Sequence, residues 1–215
     1  FFPLLLFYLE LVLHIAMGNQ LKYIPIYLIF SISAGLILSA ITLPFSRLTN
    51  QILIKVISGL LTLLYVVELM AKKILQTFYP LSILETAAGN HLTDYTEVII
   101  ENVLANIPVI LIFFVPFVLL LVFGGRLMGW GRFDVRFSGQ VLAGAVIFHL
   151  LGLGAVHLPW GGDLTPAQLY RVDTNIDDQV EQLGMWTMLR LDAKHMIVPP
   201  KGNLDSDFSG LDNLG

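Results

Sequence analysis

The chain has 215 residues, of which 56% are hydrophobic and 13% are charged, and its formal net charge is −4. Soluble domains carry roughly 25% charged and 45–50% apolar residues, so the composition excludes an ordinary soluble domain. A chain this apolar does not stay disordered in water either, which leaves a membrane protein. Since the chain has no cysteine, it has no disulfide, no thiolate metal site and no cysteine nucleophile.

Five apolar runs are candidates to cross a bilayer, whose hydrocarbon core of about 30 Å needs about 20 apolar residues in a helix. Turn residues flank the runs, which lie at residues 1–17, 23–43, 52–70, 104–123 and 139–158. The first run is short, but no basic region precedes it and no small-residue cleavage site follows it, so we interpret it as a span and not as a signal peptide. We therefore expect an all-α polytopic membrane protein with a five-helix transmembrane domain over 1–158 and a tail over 159–215.

The basic residues of the loops predict the orientation, because cytoplasmic loops are enriched in Lys and Arg. Three arginines fall within eleven residues of the loop after the fourth run, at Arg126, Arg132 and Arg136. With Arg47 and Lys55 they make five basic residues on one side, against four on the other. We expect this side, and with it the amino terminus, to be cytoplasmic and the acidic tail to be extracytoplasmic.

Ionisable residues in the spans are costly and therefore candidates for function. Glu10 and His14 are four residues apart and share a helix face; we expect both to reach water near the outer end of the first span, the alternative being a proton or headgroup contact. Glu68 and Lys72 have the same spacing, which predicts a solvated interfacial pair, with an ion site as the alternative. His149 lies in the middle of the fifth span, where a hydrogen bond between helices is expected.

Small residues and prolines predict how the spans pack and bend. Ser31, Gly35 and Ser39 recur every four residues on the second span, a pattern that lets a neighbouring helix approach closely. Pro108 and Pro116 remove backbone donors from the fourth span and predict kinks there.

Interfacial helices are expected outside the bilayer, in the outer loop and in the tail. The mixed pattern of residues 71–103 predicts two short helices on the outer leaflet, followed by a helix that starts at Asp94 and continues into the fourth span. In the tail, residues 180–198 predict a juxtamembrane helix with Arg190 snorkelling to the headgroups. The candidate contacts with a lipid headgroup or a docked domain are the outer cations Lys72, Lys73, Arg190 and Lys194.

The run EQLGMWTMLRLDAK at 181–194, following five spans, resembles the LG-x-x-T-x-x-RLD juxtamembrane segment of lipoteichoic acid synthase-like proteins. The loop at 78–97 and the segment at 203–208 are similar to that family's loop between spans three and four and to the linker before its catalytic domain. The family comprises phosphoglycerol transferases and related sulfatase-domain proteins of the alkaline phosphatase superfamily.

The resemblance implies a five-span anchor in a bacterial plasma membrane, followed by an extracytoplasmic sulfatase-like domain. In that domain a threonine nucleophile and a divalent metal, typically manganese, would move glycerol phosphate from phosphatidylglycerol to a lipoteichoic acid-like polymer or a glycan. No residue of this chain matches the nucleophile or the metal ligands. We therefore expect no catalytic, cofactor-binding or metal-binding residue here and place the catalytic domain beyond residue 215. Phosphoglycerol transfer and sulfatase-like hydrolysis both stay open.

Two other functions stay open at this point. A small, self-contained transporter or channel subunit would use Glu10, Glu68 and His149 together with the broken fourth span, although the spans show no internal repeat of the kind that many transporters have. A non-catalytic scaffold would recruit partners through the tail. The chain has no basic patch for nucleic acid.

Overall fold

The computed structural model describes residues 1–78, 96–127, 135–162, 164–171 and 175–197, and within these ranges the chain forms helices and turns but no strand. This confirms the expected all-helical class. The helices in chain order are α1 (Phe2–Met17), α2 (Ile24–Thr42), α3 (Arg47–Leu75), α4 (Thr96–Ala105), α5 (Ile107–Leu127), α6 (Val135–Val156), α7 (Pro166–Arg171), α8 (Ile176–Leu183) and α9 (Met185–Ile197).

Four helical segments within the described residues are long and apolar enough to cross a membrane: Leu21–Thr42, Arg47–Leu75, Ile107–Gly125 and Arg136–Val156. They correspond to the second to fifth predicted runs, so the protein is a polytopic helical membrane protein. The first predicted span is α1, which has 16 residues and at 1.5 Å per residue is about 24 Å long. Its buried side chains recur at i, i+3 and i+4 and share one half of the helix surface, which packs against α2, α3 and α5, whereas Leu4 and Ile15 on the other half are exposed.

Helices α1 and α6 both run antiparallel to α2. The Ser33 hydroxyl donates to the Ala145 carbonyl at 2.9 Å, and the Ser138 hydroxyl donates to the Ala40 carbonyl at 2.6 Å. A Cβ at Gly35 would lie 2.2 Å from the backbone nitrogen of Pro3. The predicted close approach of a neighbouring helix is therefore confirmed at Gly35, where α1 meets α2.

Proline interrupts the fourth predicted span in two ways. Because Pro108 has no N–H to donate, the helix that was expected to run unbroken into this span is divided at Asn106, between α4 and α5. Pro116 lies inside α5 and leaves the carbonyl of Ile112 without its i+4 donor. The hydroxyl of Tyr8 on α1 donates to that carbonyl at 2.8 Å, so the neighbouring helix satisfies the group that proline frees.

The bundle has two ends that matter for function. We call one end the tail face, because it carries the tail helices α7, α8 and α9. At this end α1, α3 and α6 finish and α2 begins. The opposite end, where α2 finishes and α3 and α6 begin, is the distal face. The tail face holds the start and end of the predicted outer loop, as the expected topology requires.

Two expectations for the outer segments need correction. Helix α3 continues to Leu75, so Lys72 and Lys73 belong to its last turn and not to an interfacial helix; most of the remaining loop, including Asp94, lies outside the described residues. The helix predicted over residues 180–198 is divided at Gly184, whose φ of 87° and ψ of 153° are not helical. The two tail helices pack on the bundle, since Val180, Met185 and Met188 join the buried core of α1 and α3.

Candidate functional site at the tail face

The carboxylate of Glu10 caps the start of α9. Only 1% of Glu10 is exposed; its Oε1 accepts the backbone N–H of Trp186 at 2.8 Å and its Oε2 accepts that of Met185 at 3.0 Å. These are the first two residues of α9, whose N–H groups have no partner within the helix. The negative charge also lies at the positive end of the helix dipole. The hydroxyl of Tyr65, from α3, donates to Oε1 at 2.8 Å and completes the set of donors.

Gly184 makes this approach possible. Its positive φ is a conformation that other residues rarely adopt, and a Cβ at this position would lie 3.1 Å from both Cδ and Oε1 of Glu10. The turn between α8 and α9 therefore depends on glycine for its backbone shape and for the space that the carboxylate occupies.

His14 and Tyr27 hold the end of α8 beside this cap. The Nε2 of His14 lies 3.0 Å from the carbonyl oxygen of Val180, and Nδ1 lies 2.8 Å from the carbonyl oxygen of Glu10. Both ring nitrogens therefore face backbone carbonyl oxygens, one on α1 and one on α8. Tyr27 stacks on His14 with the ring centroids 4.0 Å apart, and its hydroxyl donates to the carbonyl of Glu181.

Helices α8 and α9, with the turn at Gly184 between them, form the tail hairpin. Glu10 and His14 together bind both of its helices where they meet. His14 from α1 and Tyr27 from α2 contact the carbonyl end of α8. Glu10 from α1 accepts hydrogen bonds from the N–H end of α9. The expectation that Glu10 and His14 reach water is therefore wrong: His14 is fully buried and Glu10 nearly so, because the tail hairpin covers this end of α1.

Lys72 forms a second attachment between the bundle and the tail. Its Nζ lies 2.9 Å from Oδ2 of Asp177 on α8, and the Lys72 side chain is 18% exposed. The Oδ1 of Asp177 accepts the backbone N–H of Phe78 at 3.3 Å. The prediction that Glu68 and Lys72 form a solvated pair is wrong. Glu68 is buried, with 4% exposed, and Lys72 pairs with Asp177.

Arg190 lies in an aromatic recess between α9 and the bundle. Its guanidinium is 5.5 Å from the ring centroids of both Phe30 and Tyr170, within range of a cation–π interaction. It donates to the Tyr170 hydroxyl at 2.9 Å and lies 3.1 Å from Nε2 of His149. The prediction that His149 forms a hydrogen bond between helices is confirmed. Arg190 does not extend away from the protein as the snorkelling prediction expected: it is half-buried, with its guanidinium against Phe30 and Tyr170.

The four predicted headgroup contacts thus fall into two groups. Lys72 and Lys73 lie on the last turn of α3, whereas Arg190 and Lys194 lie one turn apart on α9. Within the described residues Lys72 has an acidic partner and Arg190 has none. Lys194 is exposed and Lys73 is half-buried.

Metal ligands are not assembled in the described part of the chain, where no three His, Asp or Glu side chains are grouped as a metal site requires. A manganese ion of the kind that the family resemblance implies has no fitting donor set among these residues.

Sequence reasoning missed three residues of this site, namely Tyr27, Tyr65 and Gly184. A glycine between two helix-forming stretches is a signal for a turn, and this was the one available hint. The two tyrosines gave no signal, since aromatic residues are ordinary in membrane helices.

The chain matches no protein-family model, no curated protein and no solved structure in comparisons with each. The family resemblance of residues 181–194 therefore stays a prediction.

Proposed function

We propose that this chain is the membrane anchor of an extracytoplasmic phosphoglycerol transferase or related sulfatase-like enzyme of the lipoteichoic acid synthase-like class. In this proposal α1 crosses the membrane as the first of five spans, the distal face is cytoplasmic and the tail face lies outside a bacterial plasma membrane. A sulfatase-like domain with a threonine nucleophile and manganese follows α9 in the chain. Its donor is phosphatidylglycerol, and its acceptor is a lipoteichoic acid-like polymer or a glycan.

The observation that supports this proposal most is the cap on α9. A tail that only linked two domains would need no buried carboxylate from the first helix. Because Glu10 binds the N–H groups of Met185 and Trp186, α9 has a fixed position on the bundle. A domain that follows α9 is then kept close to the membrane surface, which raises the effective concentration of a lipid donor confined to that surface.

The cations of the tail face supply the chemistry for an anionic donor. Arg190 presents five N–H donors, and its described polar partners, His149 and Tyr170, leave its charge without a carboxylate. Lys194 lies one turn further along α9 and is exposed. A lipid phosphate that reached this part of the tail face would gain charge-assisted hydrogen bonds, so we assign Arg190 and Lys194 to the headgroup. Lys72 is assigned to docking, because Asp177 already binds it.

The test uses the natural full-length protein in vesicles of phosphatidylglycerol and phosphatidylcholine with Mn²⁺. The proposal expects manganese-dependent transfer of glycerol phosphate, or hydrolysis of a phospho- or sulfo-ester, by the domain after α9. Replacing Arg190 and Lys194 together by Gln raises the phosphatidylglycerol concentration at half-maximal rate, whereas the exposed-helix control Glu101→Gln leaves it unchanged. A full-length protein without such a domain, or one inactive on every phosphoester and sulfoester tested, would overturn the proposal.

The transporter alternative gains less support from the geometry. Glu10, its first candidate for an ion or proton site, already accepts three hydrogen bonds. His149 is engaged with Arg190.

A further inference from the structure

A largely apolar cavity opens at the distal face, on the opposite side of the bundle from the tail. Its volume is about 690 Å³, within the range of about 300–1,000 Å³ that small-molecule sites occupy. Helices α1, α2, α3, α5 and α6 all contribute to its wall. Its floor is buried, with Phe2, Leu5 and Leu120 each at most 2% exposed.

The cavity is open towards the surface that faces the bilayer. Leu4 is 76% exposed, Leu119 49% and Phe137 42%, and all three line the cavity. In a membrane these side chains contact lipid. An occupant can therefore enter sideways from the bilayer without crossing water.

One end of the cavity is polar and cationic. Arg47, Asn50 and Gln51 form this end, at the first turns of α3. Arg47 is exposed and forms no ion pair with a carboxylate of the described residues. The Oδ1 of Asn50 is buried and has no hydrogen-bond partner in the described structure, although buried polar atoms are normally satisfied.

We propose that this cavity is a binding site for an anionic glycerophospholipid, with one acyl chain between α1, α5 and α6 and the phosphate on Arg47. The cavity has an apolar floor and a cationic rim. A phospholipid has the matching arrangement, with an apolar acyl chain at one end and an anionic headgroup at the other. A hydroxyl of the headgroup, or a water bound to the headgroup, donates a hydrogen bond to the Oδ1 of Asn50. The site lies in the leaflet opposite the tail face, so it is separate from the headgroup contacts assigned to Arg190 and Lys194.

The test uses the full chain in vesicles that contain a phosphatidylglycerol probe with a photoactivatable group on its acyl chain. We expect cross-links, mapped by mass spectrometry, to concentrate on cavity residues such as Leu5 and Leu120. Val141→Trp fills the cavity from α6 and should abolish these cross-links. The matched control is Val146→Trp on the same helix, because Val146 is 54% exposed and does not line the cavity.

A second pair of variants tests the headgroup contact without changing the apolar part of the cavity wall. Arg47→Gln should reduce labelling by the phosphatidylglycerol probe about 2- to 5-fold relative to a phosphatidylcholine probe with the same chain, as expected for loss of one ion pair at an exposed position. Lys55→Gln, on the same helix but outside the cavity, should leave the ratio unchanged. Labelling spread evenly over the lipid-facing surface, or equal labelling in the Val141 and Val146 variants, would overturn the proposal. An unchanged ratio in Arg47→Gln would overturn its assignment to the phosphate.

Discussion

The carboxylate of Glu10 accepts the backbone N–H of Trp186 at 2.8 Å across 176 positions of sequence. The first helix of the chain and the first turn of its last described helix are therefore one structural unit. Three donors converge on this carboxylate: two backbone N–H groups from the start of α9 and the Tyr65 hydroxyl from α3.

Replacing Glu10 by Gln should loosen α9 from the bundle. Glutamine keeps one acceptor oxygen but loses the charge, and its amide nitrogen would face N–H groups. Hydrogen bonds to charged groups contribute about 1.5–3 kcal/mol, so we expect the amides of Met185 and Trp186 to exchange with deuterium about 10- to 100-fold faster. Glu101→Gln, at an exposed position of α4, is the matched control. Unchanged exchange at both amides would show that the cap does not stabilise the tail.

Replacing Gly184 by Ala should separate the two effects of this glycine. The backbone conformation at Gly184 is nearly exclusive to glycine and costs other residues of order 1–3 kcal/mol, and the new methyl group would also contact the Glu10 carboxylate. Gly162→Ala is the control for strain alone, because Gly162 has φ 109° and its Cβ would meet only Leu164 O at 3.6 Å. We expect trypsin to cleave after Arg190 faster in Gly184→Ala than in Gly162→Ala. Equal rates would mean that the contact with Glu10 is unimportant.

The bond between Tyr8 and Ile112 predicts a coupling with Pro116. Tyr8→Phe should lower the free energy of unfolding in detergent by about 0.6 kcal/mol, and at most about 1.7, as hydrogen bonds between membrane helices do. In a Pro116→Ala background the alanine N–H can bind the Ile112 carbonyl, so the same change should cost less. A double-mutant cycle measures the difference. The same cost in both backgrounds would contradict the idea that Tyr8 replaces the missing proline donor.

The ion pair between Lys72 and Asp177 should contribute little and should respond to salt. Its partners are 18% and 40% exposed, and exposed pairs are worth about 0.2–1 kcal/mol. Lys72→Gln should therefore increase deuterium exchange of α8 only slightly, and 1 M salt should remove the difference from the unchanged protein. Lys73→Gln, at the next position, serves as the control. An effect of Lys72→Gln that persists at 1 M salt would point to another role for this lysine.

The sequence predicted the membrane helices better than the site. Apolar runs of about 20 residues identified four of the spans, but hydropathy marks only the part of a helix that lipid surrounds. Helix α3 extends from Arg47 to Leu75, beyond the predicted 52–70, because Ser46 caps its start and Ala71, Lys72 and Lys73 at its end are good helix formers. The close approach of a helix at Gly35 could be predicted from the repeat of small residues, because close packing of helices requires small residues at regular spacing.

The roles of Glu10 and Arg190 could not be read from local pattern. Each depends on a partner far away in sequence: Met185 for Glu10, and Phe30 for Arg190. An acid near the end of an apolar run has the same local pattern whether water or a second helix meets it. Whether the acid contacts water or a second helix depends on tertiary packing, and the spacing of residues along one helix carries no information about that packing.

The cap by Glu10 also sets an order of events during biosynthesis. Met185 is made 175 residues after Glu10, which at 5–20 residues per second is a delay of roughly 10–35 s. Throughout that interval the acid on α1 lacks its two backbone donors, and of the three hydrogen-bond donors to its carboxylate only the Tyr65 hydroxyl is made early. A nascent chain that is stalled before the tail should therefore expose an unsatisfied acid within its membrane part, a feature that quality-control proteases of the membrane can distinguish from the finished fold.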